Sequence, residues 1–82
     1  MLNFDLYAIS TTKDEYHSSI DEFFSSFKEA MAHRMEYTDW FAPKGTVTIE
    51  KYSAGSKGCY PSETWDIRAD GSIKKHRVYN WR

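Results

Sequence analysis

Apolar residues recur with two different periods along this chain, and the switches between them limit what it can fold into. From Asn3 to Ile9 they alternate, which is the period of a half-buried strand. Phe4, Leu6 and Ala8 fall on one face, with Asn3, Asp5, Tyr7 and Ile9 on the other, so the second face is partly apolar. The spacing then changes. Tyr16, Ile20, Phe23, Phe24, Phe27, Ala30, Met31 and Met35 follow at helical intervals and form one wide apolar stripe. Thr12-Lys13-Asp14-Glu15 stands just ahead of it as a capping box, in which Thr12 accepts from the Glu15 N–H and Glu15 reaches back. The pattern predicts a long amphipathic helix ending near Glu36 to Thr38, before a loop, Asp39–Gly45, that contains Pro43 and Gly45. Alternation returns from Thr46 to Tyr52, a second strand with Val47 and Ile49 inward. Ser53 to Ser62 is rich in Gly and Ser and reads as a mobile loop.

Glu63 to Trp81 reads as a hairpin around Ala69-Asp70-Gly71. A three-residue loop with Gly71 in the left-handed region pairs Ile67 with Ile73, Asp66 with Lys74 and Trp65 with Lys75. The two isoleucines then share a face, and opposite charges meet across the strands. The order is β-α-β-β-β, so the expected class is α+β: one amphipathic helix packed on a mostly antiparallel four-stranded sheet. A right-handed crossover would make the first strand parallel to the one after the helix. Strand order is left open.

The chain has 82 residues, which suits a single compact domain, 1–82, and leaves no room for a second. Fourteen aromatics supply the large side chains that so small a core needs. No run approaches the roughly 20 apolar residues of a spanning helix. The lone cysteine, Cys59, forms no intrachain disulfide, which favours a reducing cytoplasm. The first ten residues carry Asp5 and no basic region, unlike a signal peptide, and the initial Met suggests a whole gene product.

The formal net charge is −1. That total disfavours a generic nucleic-acid binder, which usually has a basic excess. It hides a segregation. Residues 1–42 hold eight acids against three bases, and residues 43–82 hold four acids against eight bases. Glu15, Glu22, Glu29 and Glu36 recur every seven residues. On a helix they would form one axial stripe opposite the apolar face, flanked by Asp14 and Asp21. Such a stripe is either a solvated face or a docking surface for a basic partner. Trp40 and Phe41 follow it as candidate interface anchors, or as caps on the small core. The C-terminal hairpin carries Lys74, Lys75, His76, Arg77 and Arg82 interleaved with Tyr79 and Trp81. Basic residues among aromatics suit single-stranded nucleic acid, and they equally suit an edge strand kept soluble by charge.

Little else suggests chemistry. His17 and His33 would sit about 24 Å apart on a helix, and His76 and Cys59 lie in separate segments without metal-ligand spacing. No metal site or cofactor is expected, and no P-loop, nucleophile-elbow or dinucleotide motif is present. A small antiparallel sheet with a basic-aromatic last strand is loosely similar in architecture to bacterial mRNA-cleaving toxins, a likeness that covers no motif. It implies His76 as acid or base, with Lys74, Arg77 and Tyr79 around the phosphate.

The expectation is therefore a cytoplasmic, non-enzymatic binding protein. Its acidic face, Glu15, Asp21, Glu22, Glu29 and Glu36 with Trp40 and Phe41, would occlude a basic nucleic-acid-binding surface of a partner protein. That profile suits small phage- or mobile-element-type inhibitors, anti-defence or immunity-like. The alternative is an RNA- or single-stranded nucleic-acid-binding module, or a small ribonuclease toxin, using the C-terminal hairpin. A homodimer remains compatible with apolar residues Tyr7 and Ile9 on an outer strand face.

Overall fold

A computed structural model describes residues 1–14, 17–37, 39–40 and 42–77, with Arg77 described by its backbone alone. Its elements are β1 (Leu6–Thr12), β2 (Ser18–Phe24), α1 (Phe27–His33) with a 3₁₀ turn at Arg34–Glu36, β3 (Val47–Tyr52), β4 (Glu63–Ile67) and β5 (Ile73–Arg77). The strands form one antiparallel sheet in the order β2-β1-β3-β4-β5. The class is α+β, with five strands and a short helix where four strands and a long helix were expected.

The long helix is the main correction. Its first half is strand β2. Asp14 Oδ1 accepts from the His17 N–H at 2.9 Å, and the Lys13 N–H donates to the His17 carbonyl at 2.8 Å. These bonds make a tight reversal where the capping box would have opened a helix. The chain returns along β1 with a bulge: Ser10 pairs with Ile20, and Ile9 pairs with Glu22, leaving Asp21 as the extra residue. The bulge puts Ile20 and Phe23 on the same sheet face although they are three residues apart. A spacing that signals a helix is thus satisfied by a bulged strand.

The helix starts at a different cap. Ser26 is extended, and its hydroxyl accepts from the Glu29 N–H at 3.1 Å. Ser25 Oγ donates to Glu29 Oε2 at 2.7 Å. The helix buries Ala30 fully, with Phe27 and Met31 partly buried against the sheet. Phe27 lies 4.8 Å from Trp65 and 6.4 Å from Tyr7 between ring centroids. The core proper is Ile9, Phe24, Ala30, Val47, Ile49 and Ile67. Val47 and Ile49 point inward as expected. In β1 the faces are exchanged: Ile9 and Tyr7 serve the helix-covered core, Ala8 is buried on the opposite face, and Phe4 lies outside the strand and exposed. The outer apolar face imagined for Tyr7 and Ile9 is therefore the inner one.

The crossover also differs. β1 and β3 are antiparallel, and β2 and β3 run parallel on either side of β1, so α1 crosses β1. The β4–β5 hairpin matches its expected register, with Ile67 opposite Ile73, Asp66 opposite Lys74 and Trp65 opposite Lys75. Gly71 has φ +91°, and the Arg68 N–H bonds the Ser72 carbonyl at 2.9 Å. The segment 53–62 is tied down: Leu2 exchanges backbone bonds of 2.8 Å with Gly55 and Ser56, and the Ser62 N–H donates to the Lys51 carbonyl at 2.7 Å.

Candidate functional site

The four glutamates at seven-residue spacing do not form a helical stripe, because only Glu29 lies in α1. Glu22 is on β2 and Glu36 on the 3₁₀ turn, while Glu15 lies outside the described residues. The chain nonetheless returns three of them to one place. Glu36 Oε2 is 2.5 Å from His33 Nδ1. That hydrogen bond raises the His33 pKa above its ordinary value, desolvation opposes it, and the charges of Glu36, Glu22 and Glu29 add to the rise. The His33 ring stacks on Phe24 with centroids 5.2 Å apart, which fixes it at the end of β2. Tyr37 donates its hydroxyl to Glu22 Oε2 at 2.8 Å. Burial first, and then this bond, push its phenol up to about 12, so it stays a donor.

Asp21, displaced by the bulge, accepts from Thr11 Oγ1 at 2.6 Å and from Lys13 Nζ at 2.5 Å. It is thus partly neutralised, while Glu22, Glu29 and Glu36 have no Lys or Arg within ion-pair distance among the described residues. Trp40 is 56% exposed, and its backbone N–H donates to the Thr12 carbonyl at 2.9 Å. Phe41 lies outside the described residues.

The basic hairpin forms the opposite edge of the sheet. Lys75 Nζ is 2.7 Å from Glu63 Oε1 and sits over the Trp65 ring. This ion pair holds the Glu63 carboxyl below its usual range. His76 Nε2 is 2.6 Å from Asp66 Oδ2, and Lys74 stands opposite Asp66 in the register. The bases of β5 are therefore interleaved with the acids of β4. Tyr79, Trp81 and Arg82, and the side chain of Arg77, lie outside the described residues.

One residue that sequence reasoning missed lies on the face of the sheet away from α1. The register sets Phe23, Ala8, Glu50, Thr64 and His76 in one row across five strands. Glu50 is half-buried in that row and makes no hydrogen bond or ion pair with any described residue. Burial raises its carboxyl pKa. Alternation in Thr48-Ile49-Glu50 marks Glu50 only as opposite to Ile49, so a sequence reader assigns it to solvent. Phe23 and Tyr52 form an edge-to-face ring pair, centroids 6.1 Å apart, on the same side. Cys59 is exposed, and among the described residues no group of three or more His, Cys, Asp or Glu side chains could hold a metal ion. No helix among them is long and apolar enough to cross a membrane. Comparison with known proteins gives no match to a family model, to a curated protein or to a solved structure.

Proposed function

We propose that this protein is a non-enzymatic binding protein whose acidic end engages a basic surface of a protein partner. The observation that carries the reading is geometric: Glu36 bonds His33, Glu22 takes the hydroxyl of Tyr37 beside Glu36 and lies two residues from Phe24, on which His33 stacks, and Glu29 is one helical turn before His33. At the far edge Lys75 and His76 of β5 are paired with Glu63 and Asp66, and of the described bases there only Lys74 stands outside an ion pair. The acidic end thus has the less compensated charge, and a Lys- or Arg-rich surface is its complement. A surface of that kind usually serves nucleic-acid binding, so the proposed action is occlusion, as an inhibitor of a nucleic-acid-processing or defence protein would perform it.

The test is capture from a host lysate at about 50 mM and about 500 mM salt, a range over which charge contacts are strongly screened. The wild type is compared with Glu29→Lys/Glu36→Lys, both checked for folding by circular dichroism. Retention of a nucleic-acid-binding protein at low salt by the wild type, release of its nucleic acid, and loss of both in the variant support the reading. Equal capture by the folded variant would sink it.

A second reading draws on Glu50. A half-buried carboxylate without a partner among the described residues is a candidate general base, and His76, oriented by Asp66, stands two strands away in the same row. Two strand spacings are about 9.6 Å, a span that a phosphodiester can fill. Glu50 would take the proton of an RNA 2′-hydroxyl as its oxygen bonds phosphorus. His76 would return a proton to the departing 5′-oxygen. Cleavage of a short RNA, abolished in Glu50→Gln and His76→Ala alike, would replace the binding reading with this one.

A further inference from the structure

We infer that the outer edge of β2 is a docking edge for a short extended segment of a partner protein in which basic and apolar side chains alternate. The inference rests on the acidic end being the working face, and it adds the mode of recognition.

β2 is an edge strand, and among the described residues no strand pairs with its outer side. An antiparallel pair uses the N–H and C=O of alternate residues, so the others along β2 point away from β1. Ser18, Ser19, Ile20, Glu22 and Phe23 are exposed along this edge. Edge strands are normally blunted with charged side chains, lysine above all, with proline or with bulges; β2 has a bulge and the acids Asp21 and Glu22, a deterrent that a basic segment neutralises. β5, at the other edge, carries Lys74, Lys75, His76 and Arg77, whereas Ser18–Phe24 contains neither lysine nor proline. The bulge at Asp21 bends β2, so the segment that it accepts is short.

The two sides of the edge differ in chemistry. On the helix-covered side Glu22, opposite Ile9, accepts from the Tyr37 hydroxyl, and Glu36 bonds His33, whose ring stacks on Phe24 of β2. On the other side Ile20 is 39% and Phe23 49% exposed. An added strand presents successive side chains to opposite faces. One set would meet carboxylates and the next would meet Ile20 and Phe23, which selects a basic-apolar alternation. Main-chain bonds would supply attachment and the alternate contacts specificity.

A second copy of this chain fits the edge poorly. Two β2 strands side by side would bring Asp21 and Glu22 against their own counterparts. The basic strand β5 of another copy has Lys75 and His76 already committed to Glu63 and Asp66, which leaves Lys74 alone of its described bases for the carboxylates. A basic segment from a different protein meets neither obstacle.

The probe is an acetylated eight-residue peptide of alternating lysine and valine. It is compared with two N-methylated forms, one methylated on the lysine amides and one on the valine amides. All three have the same charge, but each methylated form lacks N–H donors along one edge. Binding is read by titration, and amide hydrogen exchange is followed at residues 18–24. The expected result is slower exchange in β2, with one methylated form weakened by about tenfold or more, as loss of two backbone hydrogen bonds implies. The other form should bind like the parent. Equal binding of both methylated forms would overturn strand addition and leave the acidic-end reading standing. Absence of parent binding at millimolar peptide would overturn it as well. So would a protein that self-associates without peptide and protects the same β2 amides, since the edge would then join copies of this chain.

Discussion

His33 is the residue on which the charge of the acidic end is focused. It was legible in the sequence only as one of three histidines without metal spacing. Its importance comes from the 3₁₀ turn, which carries Glu36 back to its ring, and from β2, which brings Glu22 alongside. Neither contact is visible without the fold. The sign of the effect follows from its cause. A histidine whose pKa is raised on folding stabilises the native state fully below its unfolded value, and loses that contribution as pH rises through the folded value. The window therefore opens at the ordinary 6.5 and extends upward. Protonation also places a positive charge among the three glutamates, so binding to a basic partner should weaken as pH falls through the same window. Glu36→Gln removes the largest cause, and the His33 titration midpoint followed by NMR should drop toward 6.5. A midpoint unchanged by this substitution would remove Glu36 as the cause.

At the scale of elements, β3 and the β4–β5 hairpin were readable from alternation, β1 was placed three residues early with its faces exchanged, and the helix was not readable. Val47 and Ile49 face the core, and the Ile67–Ile73 and Asp66–Lys74 matches set the hairpin register, because period 2 and a glycine turn constrain each other locally. Residues 12–36 misled for two physical reasons. The bulge at Asp21 makes a three-residue apolar spacing compatible with one strand face. Two capping boxes also compete, Thr12-to-Glu15 and Ser26-to-Glu29, and the Asp14 turn decides for the second by reversing the chain before a helix can start. Ser26→Ala should then cost about 0.5–2 kcal/mol, the usual value of a lost N-cap. Thr12→Ala should cost clearly less, since no helix begins there. Urea unfolding of the two variants checks this. A larger loss from Thr12→Ala than from Ser26→Ala would contradict the assignment of the cap.

Across the whole molecule, strand order turns a segregation along the sequence into one in space. The acid-rich first half supplies β2 at one edge and the base-rich second half supplies β5 at the other, so a net charge of −1 covers two unlike ends. The segregation was legible from counting, but its direction was not, since strand order cannot be read from periodicity. The β1–β3 ladder joins the two halves, and one side chain adds a polar link between them. Arg34, in the turn after α1, donates from Nη1 to the carbonyls of Gly45 at 2.8 Å and Arg68 at 3.2 Å, and from Nη2 to that of Ala69 at 3.5 Å. The helix end, the entry to β3 and the β4–β5 turn thus meet on one guanidinium. Gly45 has φ +90° there, and a Cβ on it would run into Met35 Sδ and Arg34 Nη1, so the approach is close as well as polar. A lysine has a single ammonium and lacks the planar fork that can address several carbonyls at once. Both Arg34→Lys and Arg34→Met should therefore destabilise, the methionine by about 1–3 kcal/mol as carbonyls lose a charged donor. In a domain of this size, each kcal/mol lowers the thermal midpoint by about 4–8 °C. Calorimetry decides: a lysine variant that melts with the wild type would show that one charge suffices and that the three-way clamp adds nothing to the link the β1–β3 ladder already makes.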